Sequence, residues 1–354
     1  MTSYYVNEAI YNTYRIFPDQ ERYEYLRYDM NENPDGLPEN FVTSVLQEIT
    51  PEFLTIYPEP NRFLGKYAEF IGAGIENVLA TNGSDMAIRY LMETFGEPGK
   101  SVVTVTPSFE MYRINCSILG LHHVPVSYEQ DLSISSRKIV QAITKDTRIV
   151  VLLNPNNPIG NVYSDEEMEE ILSRSEEVGA VVIIDEAYHY FCPKTFLHDA
   201  LKRDNVIILR TFSKLLSIAA CRLGVIISNP KIIEYVKRGK LTFDVNAIAL
   251  LFAERIIEQP QLIENLIQQE RKGRQYLFDQ LTQRGYECRS CEGNFILIKT
   301  KNNAHLVTDK LKEKHRILVH DYRNELLDQY IRVSTGSMQK MDVFLSAFLE
   351  IDRI

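Results

Sequence analysis

Residues 148–188 read RIVVLLNPNNPIGNVYSDEEMEEILSRSEEVGAVVIIDEAY. Arg148 to Leu153 is a short apolar run rich in β-branched residues, closed by the turn-forming Asn154-Pro155-Asn156-Asn157-Pro158-Ile159-Gly160. Ser164 and Glu167 then make a capping box, and the sequence to Val178 has helical spacing. Gly179 stands where a helix end wants a residue tolerant of positive φ, and Ala180 to Ile184 is a second apolar run. Strand, covering helix and strand in this order are one parallel βαβ unit.

The same alternation extends from about residue 80 to 230, with further strands expected at Ser101 to Thr106, Val206 to Arg210 and Leu223 to Ile227. Near-continuous apolar strands between amphipathic helices predict an α/β fold, a large domain whose mostly parallel sheet is covered by helices on both faces. From Asp244 to Arg284 the sequence is helix-rich and punctuated at Pro260, a spine toward a smaller α+β domain. That domain is expected to hold strands at Phe295 to Ile298, Ile317 to His320 and Ile331 to Val333, and helices at Ala304 to Glu313 and Gln339 to Leu349. The expected organisation is 1–45 as a Tyr-rich arm or part of the small lobe, 46–245 as the large domain, and 246–354 as linking helix and small C-terminal domain.

The chain of 354 residues suits two structural units, and 45% hydrophobic with 25% charged residues is a globular composition. Its 39 Lys+Arg against 48 Asp+Glu leave a net charge of −9, which argues against broad attraction to nucleic acid or an anionic membrane. The first ten residues lack a basic stretch followed by an apolar one, and apolar runs such as Ala247 to Ala253 are too short to span a bilayer. Five scattered cysteines fit a reducing compartment, so a cytoplasmic location is expected. Cys288 and Cys291 match C-x-x-C, but no second pair of ligands follows at metal spacing, and no metal site is expected.

In open α/β sheets ligands sit beyond the carboxyl ends of the strands, where this sequence is conspicuously polar. Asn154 to Gly160, Asp185-Glu186-Ala187-Tyr188 and Arg210-Thr211-Phe212-Ser213-Lys214 follow three of the strands. Pyridoxal phosphate needs an amine for a Schiff base, a carboxylate for its ring nitrogen, donors to its phenolic oxygen and a phosphate cradle. Lys214 supplies the amine, Asp185 the carboxylate, and Tyr188 with Asn157 the donors. Thr211 and Ser213, two apart on an extended segment, are expected to face a phosphate together with Arg222. In Asn82-Gly83-Ser84-Asp85 a glycine turn opens a helix whose free N–H groups favour an anion, and Phe109 is placed to stack on the ring.

These segments, with Tyr57-Pro58-Glu59-Pro60, Pro107 to Tyr112, Arg222-Leu223-Gly224 and Ile331 to Gly336, resemble the fold-type-I pyridoxal-phosphate aminotransferases. The resemblance is closest to the histidinol-phosphate aminotransferase family and covers nearly the whole chain. Its specificity lies in order and spacing: 28 residues from Asn157 to Asp185, 29 on to Lys214 and 8 on to Arg222. The resemblance implies a homodimer in which Tyr57 reaches the partner's cofactor phosphate, and a substrate-binding set of Asn157, Arg332 and His320, with Arg332 on the substrate carboxylate. At His320 this chain departs from the family, which usually carries an arginine that helps hold a substrate phosphate. An imidazole is only partly charged near neutral pH, so a phosphate grip there would fall to nearby Arg323.

The reaction implied is ping-pong transfer of an amino group between an amino acid, or an amino-alcohol phosphate such as histidinol phosphate, and a 2-oxo acid. A decarboxylase or lyase of the same fold is the alternative, because the bond that breaks is set by substrate pose. Tyr11 and Tyr14 in the arm are further candidates for substrate selection.

Overall fold

The computed structural model describes residues 4–13 and 21–353. One seven-stranded sheet is built from β1 (Val78–Asn82), β2 (Ser101–Thr106), β3 (His122–Ser127), β4 (Thr147–Leu153), β5 (Val181–Asp185), β6 (Val206–Thr211) and β7 (Leu223–Ser228). Its spatial order is β1-β7-β6-β5-β4-β2-β3. Strands β2 to β6 pair in parallel, while β7 lies antiparallel to both β6 and β1.

All five strands expected in this region are present, and the structure adds β1 and β3. The latter, with Pro125 and with His122 and Ser127 exposed at its ends, sits at the sheet edge, where a missing N–H does no harm. Side chains alternate across the sheet: Val150, Leu152, Val182 and Ile184 join one buried cluster, and Ile149, Val151, Leu153 and Ile183 join the other. Helix α1 (Gly83–Phe95) packs against β7, and α2 (Asp165–Val178) has both hydrogen bonds of the capping box, Glu167 N–H to Ser164 Oγ at 3.1 Å and Ser164 N–H to Glu167 Oε2 at 2.9 Å. Gly179 ends it at φ 74°.

Two consecutive helices, α3 (Ala247–Ile257) and α4 (Pro260–Gln283), lead to the second unit, with Pro260 at the start of α4 as the spacing predicts. There β8 (Cys288–Ser290), β9 (Phe295–Lys299), β10 (His320–Asp321) and β11 (Tyr330–Ser334) form an antiparallel sheet ordered β10-β11-β9-β8. It packs on α4, α5 (Ala304–His315) and α6 (Met338–Ile351) through a third apolar cluster that includes Ile296, Val333, Leu281, Leu311 and Phe344. The single strand expected at Ile317 to His320 is divided. Ile317–Leu318 pairs in parallel with Leu26–Arg27, and after Val319 the chain changes partner so that His320 pairs with Arg332. The N-terminal segment thereby joins this unit, with Tyr28 fully buried in its core.

At the end of β5 consecutive acidic side chains point apart. Glu186 is fully buried and accepts from Arg210 Nε (3.0 Å) and Nη2 (2.8 Å), from the Thr195 hydroxyl (2.8 Å) and from the Phe196 N–H (2.8 Å). The ion pair ties β6 to the loop after β5, and removing one partner strands the other charge in the core. Glu186→Ala is expected to lower unfolding stability by roughly 3–5 kcal/mol, read by urea denaturation; an unchanged midpoint would refute this role.

Candidate active site

The strands of the large sheet end in register. Leu153 lies beside Asp185, Asp185 beside Leu209, and Thr211 beside Gly224, so the polar segments that follow open onto one crevice. Asp185 is the last residue of β5 and 3% exposed. Its Oδ2 accepts from the Tyr112 hydroxyl at 2.9 Å and its Oδ1 from the Ala187 N–H at 3.1 Å. Burial outweighs these two donors and pushes its carboxyl up to about 6.

Lys214 stands in the bend after β6, and its Nζ donates to the main-chain oxygen of Met30 at 2.8 Å. Among the described residues no carboxylate lies within ion-pair distance of it. Burial, with Arg332 adding its charge, pulls the amine down to about 8. The crevice therefore moves an acid and a base toward neutrality from opposite sides, a pattern characteristic of reactive sites.

Tyr188 is buried edge-on against Phe295, and its hydroxyl oxygen accepts from Asn31 Nδ2 at 2.9 Å. Asn31 takes the left-handed conformation, φ 55°, which asparagine tolerates, and its N–H donates to Ser334 Oγ at 2.8 Å. Arg332, on β11, donates through Nη1 to Asn157 Oδ1 and through Nη2 to the main-chain oxygen of Asp29. The Asn157 Oδ1 is thereby engaged as an acceptor, and its Nδ2 is the donor the side chain can offer. Among the described residues the buried Nε of Arg332 has no hydrogen-bond partner.

The anion cradle forms where β1 turns into α1. Gly83 has φ 72°, and a Cβ there would stand 2.4 Å from Arg222 Nη2; a Cβ on Gly224 would stand 2.6 Å from the Ser84 nitrogen. Two glycines thus let Arg222 and β7 close on the free N–H groups of the helix start. Arg222 bonds Asp85 Oδ2 at 3.0 Å and approaches Ser213 Oγ at 3.5 Å. Asp85 therefore orients the arginine. The Thr211 hydroxyl accepts from the Ser213 N–H at 3.1 Å, so it shapes this turn from within.

Phe109 lines a cavity of about 290 Å³ together with Tyr112, His123, His320 and Tyr322. His320 packs edge-on to Tyr322 at 4.8 Å and keeps an exposed face, with partial desolvation of the ring and then the Arg332 charge lowering its tendency to take a proton. Tyr57 is 72% exposed, stacks on Phe243 at 4.3 Å and is not brought to the other residues within this chain. Tyr11 is also exposed, and Tyr14 lies outside the described residues. Cys288 and Cys291 are separate free thiols, the first beside Thr282 and the second buried against the Ile159 carbonyl.

Sequence reasoning missed Asn31 and Tyr112, and with them the Met30 and Asp29 carbonyls. Tyr112 had a signal, the Pro107 to Tyr112 segment. Asn31 had only its place in Asn31-Glu32-Asn33-Pro34, with nothing to say what it would meet. The donor set fits pyridoxal phosphate: a buried carboxylate short of a cationic partner, an amine short of a carboxylate, and a glycine-made cradle with an arginine at its edge.

Residues 25–348 match the family model for aminotransferase class I and II. The histidinol-phosphate aminotransferase of Aquifex aeolicus is 32% identical over 330 residues, 92% of each chain. That of Methanocaldococcus jannaschii is 30% identical over 363 residues, 97% of this chain and 92% of its own. In fold, the chain superposes on the Sinorhizobium meliloti histidinol-phosphate aminotransferase, solved in complex with pyridoxal-5'-phosphate, with TM-score 0.89 at 21% identity over 98% of this chain and 97% of that one. The L-threonine-O-3-phosphate decarboxylase of Porphyromonas gingivalis shares the fold at TM-score 0.77 and 22% identity, covering 92% and 99% of the two chains. Sequence kinship over nine-tenths of the chain, joined to this crevice, places the protein in the class I and II aminotransferase family as a pyridoxal-phosphate-dependent aminotransferase.

Proposed function

We propose that Lys214 anchors the cofactor and moves the substrate proton, that Asp185 holds the ring nitrogen, and that Arg332 grips the substrate carboxylate. The observation that carries this reading is the Lys214 amine, drawn down to about 8 and bonded to a carbonyl in the crevice that also holds Asp185. Bound there, pyridoxal phosphate supplies the electron sink for the pair released when a bond at the substrate Cα breaks. A cationic ring nitrogen would restore the charge that burial denies Asp185, with Tyr112 keeping that carboxylate in place. Tyr188 and Asn157 donate to the phenolic oxygen; Ser84, Ser213 and Arg222, braced by Asp85, hold the phosphate, with Gly83 and Thr211 shaping the cradle. Phe109 covers a ring face. Arg332, already half-fixed by Asn157 and Asp29, presents a guanidinium that directs the Cα–H bond toward Lys214.

A homodimer completes the site in this reading. Tyr57 lies among exposed Leu54, Ile56, Leu241 and Phe243, an apolar surface suited to a second copy, and from there it would serve the partner's cofactor phosphate. The donor is an amino acid or an amino-alcohol phosphate of the kind named for the relatives, and the acceptor a 2-oxo acid. Free thiols at all five cysteines are compatible with the cytoplasm.

Lys214→Ala should abolish turnover while cofactor binding stays detectable by absorbance; wild-type turnover would overturn the assignment. Mixing Lys214→Ala with Tyr57→Ala subunits should regenerate one intact site per mixed dimer, so that activity exceeds that of Tyr57→Ala alone; no gain would argue against Tyr57 acting across the interface. For Asp185 the sign follows from a folded value of about 6 against an ordinary 3.8. The cofactor-free fold binds this proton more tightly than the unfolded chain does, so stability is lost as pH rises between those values and stays lost above them. Asp185→Asn should therefore stabilise the cofactor-free protein at pH 7.5 by on the order of 2 kcal/mol, the gain shrinking toward pH 4, while turnover collapses. Calorimetry at the two pH values, alongside an activity assay, checks both halves.

A further inference from the structure

We propose that Asn31 is a positioning residue for Tyr188: its amide donates to the phenol oxygen, so that the phenol's own hydrogen is left for the phenolic oxygen of the bound cofactor. The inference rests on the reading of Lys214 and Tyr188 above and adds what fixes the phenol. Asn31 is 1% exposed, and every polar group of the residue is engaged. Its N–H donates to Ser334 Oγ at 2.8 Å, its carbonyl accepts from Asn294 Nδ2 at 3.0 Å, and its Oδ1 accepts from Ser334 Oγ at 3.2 Å. What remains is Nδ2, which reaches the Tyr188 hydroxyl at 2.9 Å.

Which end of the amide faces the phenol decides where the phenol's hydrogen goes. Ser334 Oγ accepts from the Asn31 N–H and keeps its own hydrogen for Oδ1, which turns Nδ2 toward Tyr188. Asn157 also stands against the hydroxyl, and with its Oδ1 engaged by Arg332 it too offers Nδ2. Both amides therefore meet the phenol as donors, and neither turns an acceptor to it. Burial holds the proton on Tyr188; of the charged groups around it the Arg332 guanidinium opposes this and the Asp185 carboxylate adds to it, while Phe295 and Tyr322 bring uncharged rings. A hydroxyl that accepts one hydrogen bond donates a stronger one. On the cofactor's phenolic oxygen, a stronger donor takes up more of the negative charge that holds a proton on the Lys214 nitrogen once the two are joined, so that proton leaves at lower pH. Asn31 thus acts on the acidity of the Lys214 linkage through Tyr188, without touching either partner of that linkage.

The test is a pH titration of the visible cofactor band of the holoenzyme, with no substrate present. Asn31→Gly removes the amide, leaves the net charge unchanged and tolerates the φ of 55° at this position. It should raise the midpoint of the band's pH transition by at least about 0.5 unit, about threefold in proton affinity. Tyr188→Phe should raise the midpoint as well, and in that background Asn31→Gly should add less than about 0.2 unit, because the hydroxyl carries the effect. Ser334→Ala, which releases the amide from its anchor, should move the midpoint in the same direction and replaces Asn31→Gly if that variant yields no folded holoenzyme. An unmoved midpoint in the variant so measured, or a shift of equal size in the Tyr188→Phe background, overturns the inference and leaves the Lys214 reading intact. A wild-type protein that shows no visible band with pyridoxal phosphate overturns the Lys214 reading, and this inference with it.

Discussion

Asp185 and Glu186 leave the end of one strand on opposite sides, and most of the site depends on how each charge is met. The two-residue period of β structure sends Glu186 into the core, where Arg210, Thr195 and a backbone N–H satisfy it. The same period obliges Asp185 to face the crevice, where Tyr112 and one backbone N–H are its donors. Because Glu186 directly follows the last residue of β5 and Arg210 stands one residue before the end of β6, their pair also sets where Thr211 stands and where the turn to Lys214 begins. A structural ion pair and a functional carboxylate are thus adjacent products of one register, and a one-residue slip would exchange them.

The electrostatics of the crevice have a common cause. Asp185 rises and Lys214 falls because both are taken from water without an opposite charge at bonding distance, and the desolvation of each exceeds what neutral donors and acceptors return. Such an arrangement disfavours the chain on its own and favours a ligand that brings a cation to one group and an aldehyde to the other. Gly83 and Gly224 contribute to the same end by omission, since side chains there would push Arg222 and Ser84 out of the positions they hold.

Much of this was legible in the sequence because it is local. The apolar runs, the capping box at Ser164, Gly179 and the polar residues after each strand all depend on neighbours along the chain. What escaped depends on contacts far apart in sequence. Leu223–Ser228 reads as another buried strand, but its direction follows from the short path from β6 back along the sheet, which composition does not reveal. Ile317 to His320 reads as one strand because its residues are uniformly suited to β structure; only the arrival of Leu26–Arg27 beside its first half divides it. Alternation alone places the Thr211 hydroxyl toward a phosphate; what it does not announce is that the same oxygen also accepts from the Ser213 N–H in the turn that begins there.

The least legible element is the most economical one. Three consecutive residues of the N-terminal segment each hold a different part of the site: the Asp29 carbonyl takes Arg332, the Met30 carbonyl takes Lys214, and the Asn31 side chain takes Tyr188. Two of these bonds use the main chain, so no side-chain pattern announces them. The segment is fixed from both ends, by Leu26–Arg27 pairing with Ile317–Leu318 and by the Asn31 N–H on Ser334, and both anchors belong to the second unit. Lys214 and Tyr188 belong to the large sheet's loops. The segment is therefore a clasp between the two units, joining the amine and the phenol of the large sheet's loops to the second unit, while Arg332 crosses the same boundary through Asn157. Any shift of the second unit relative to the large sheet must change these three hydrogen bonds together, which makes the arrangement of the units and the readiness of the site one property.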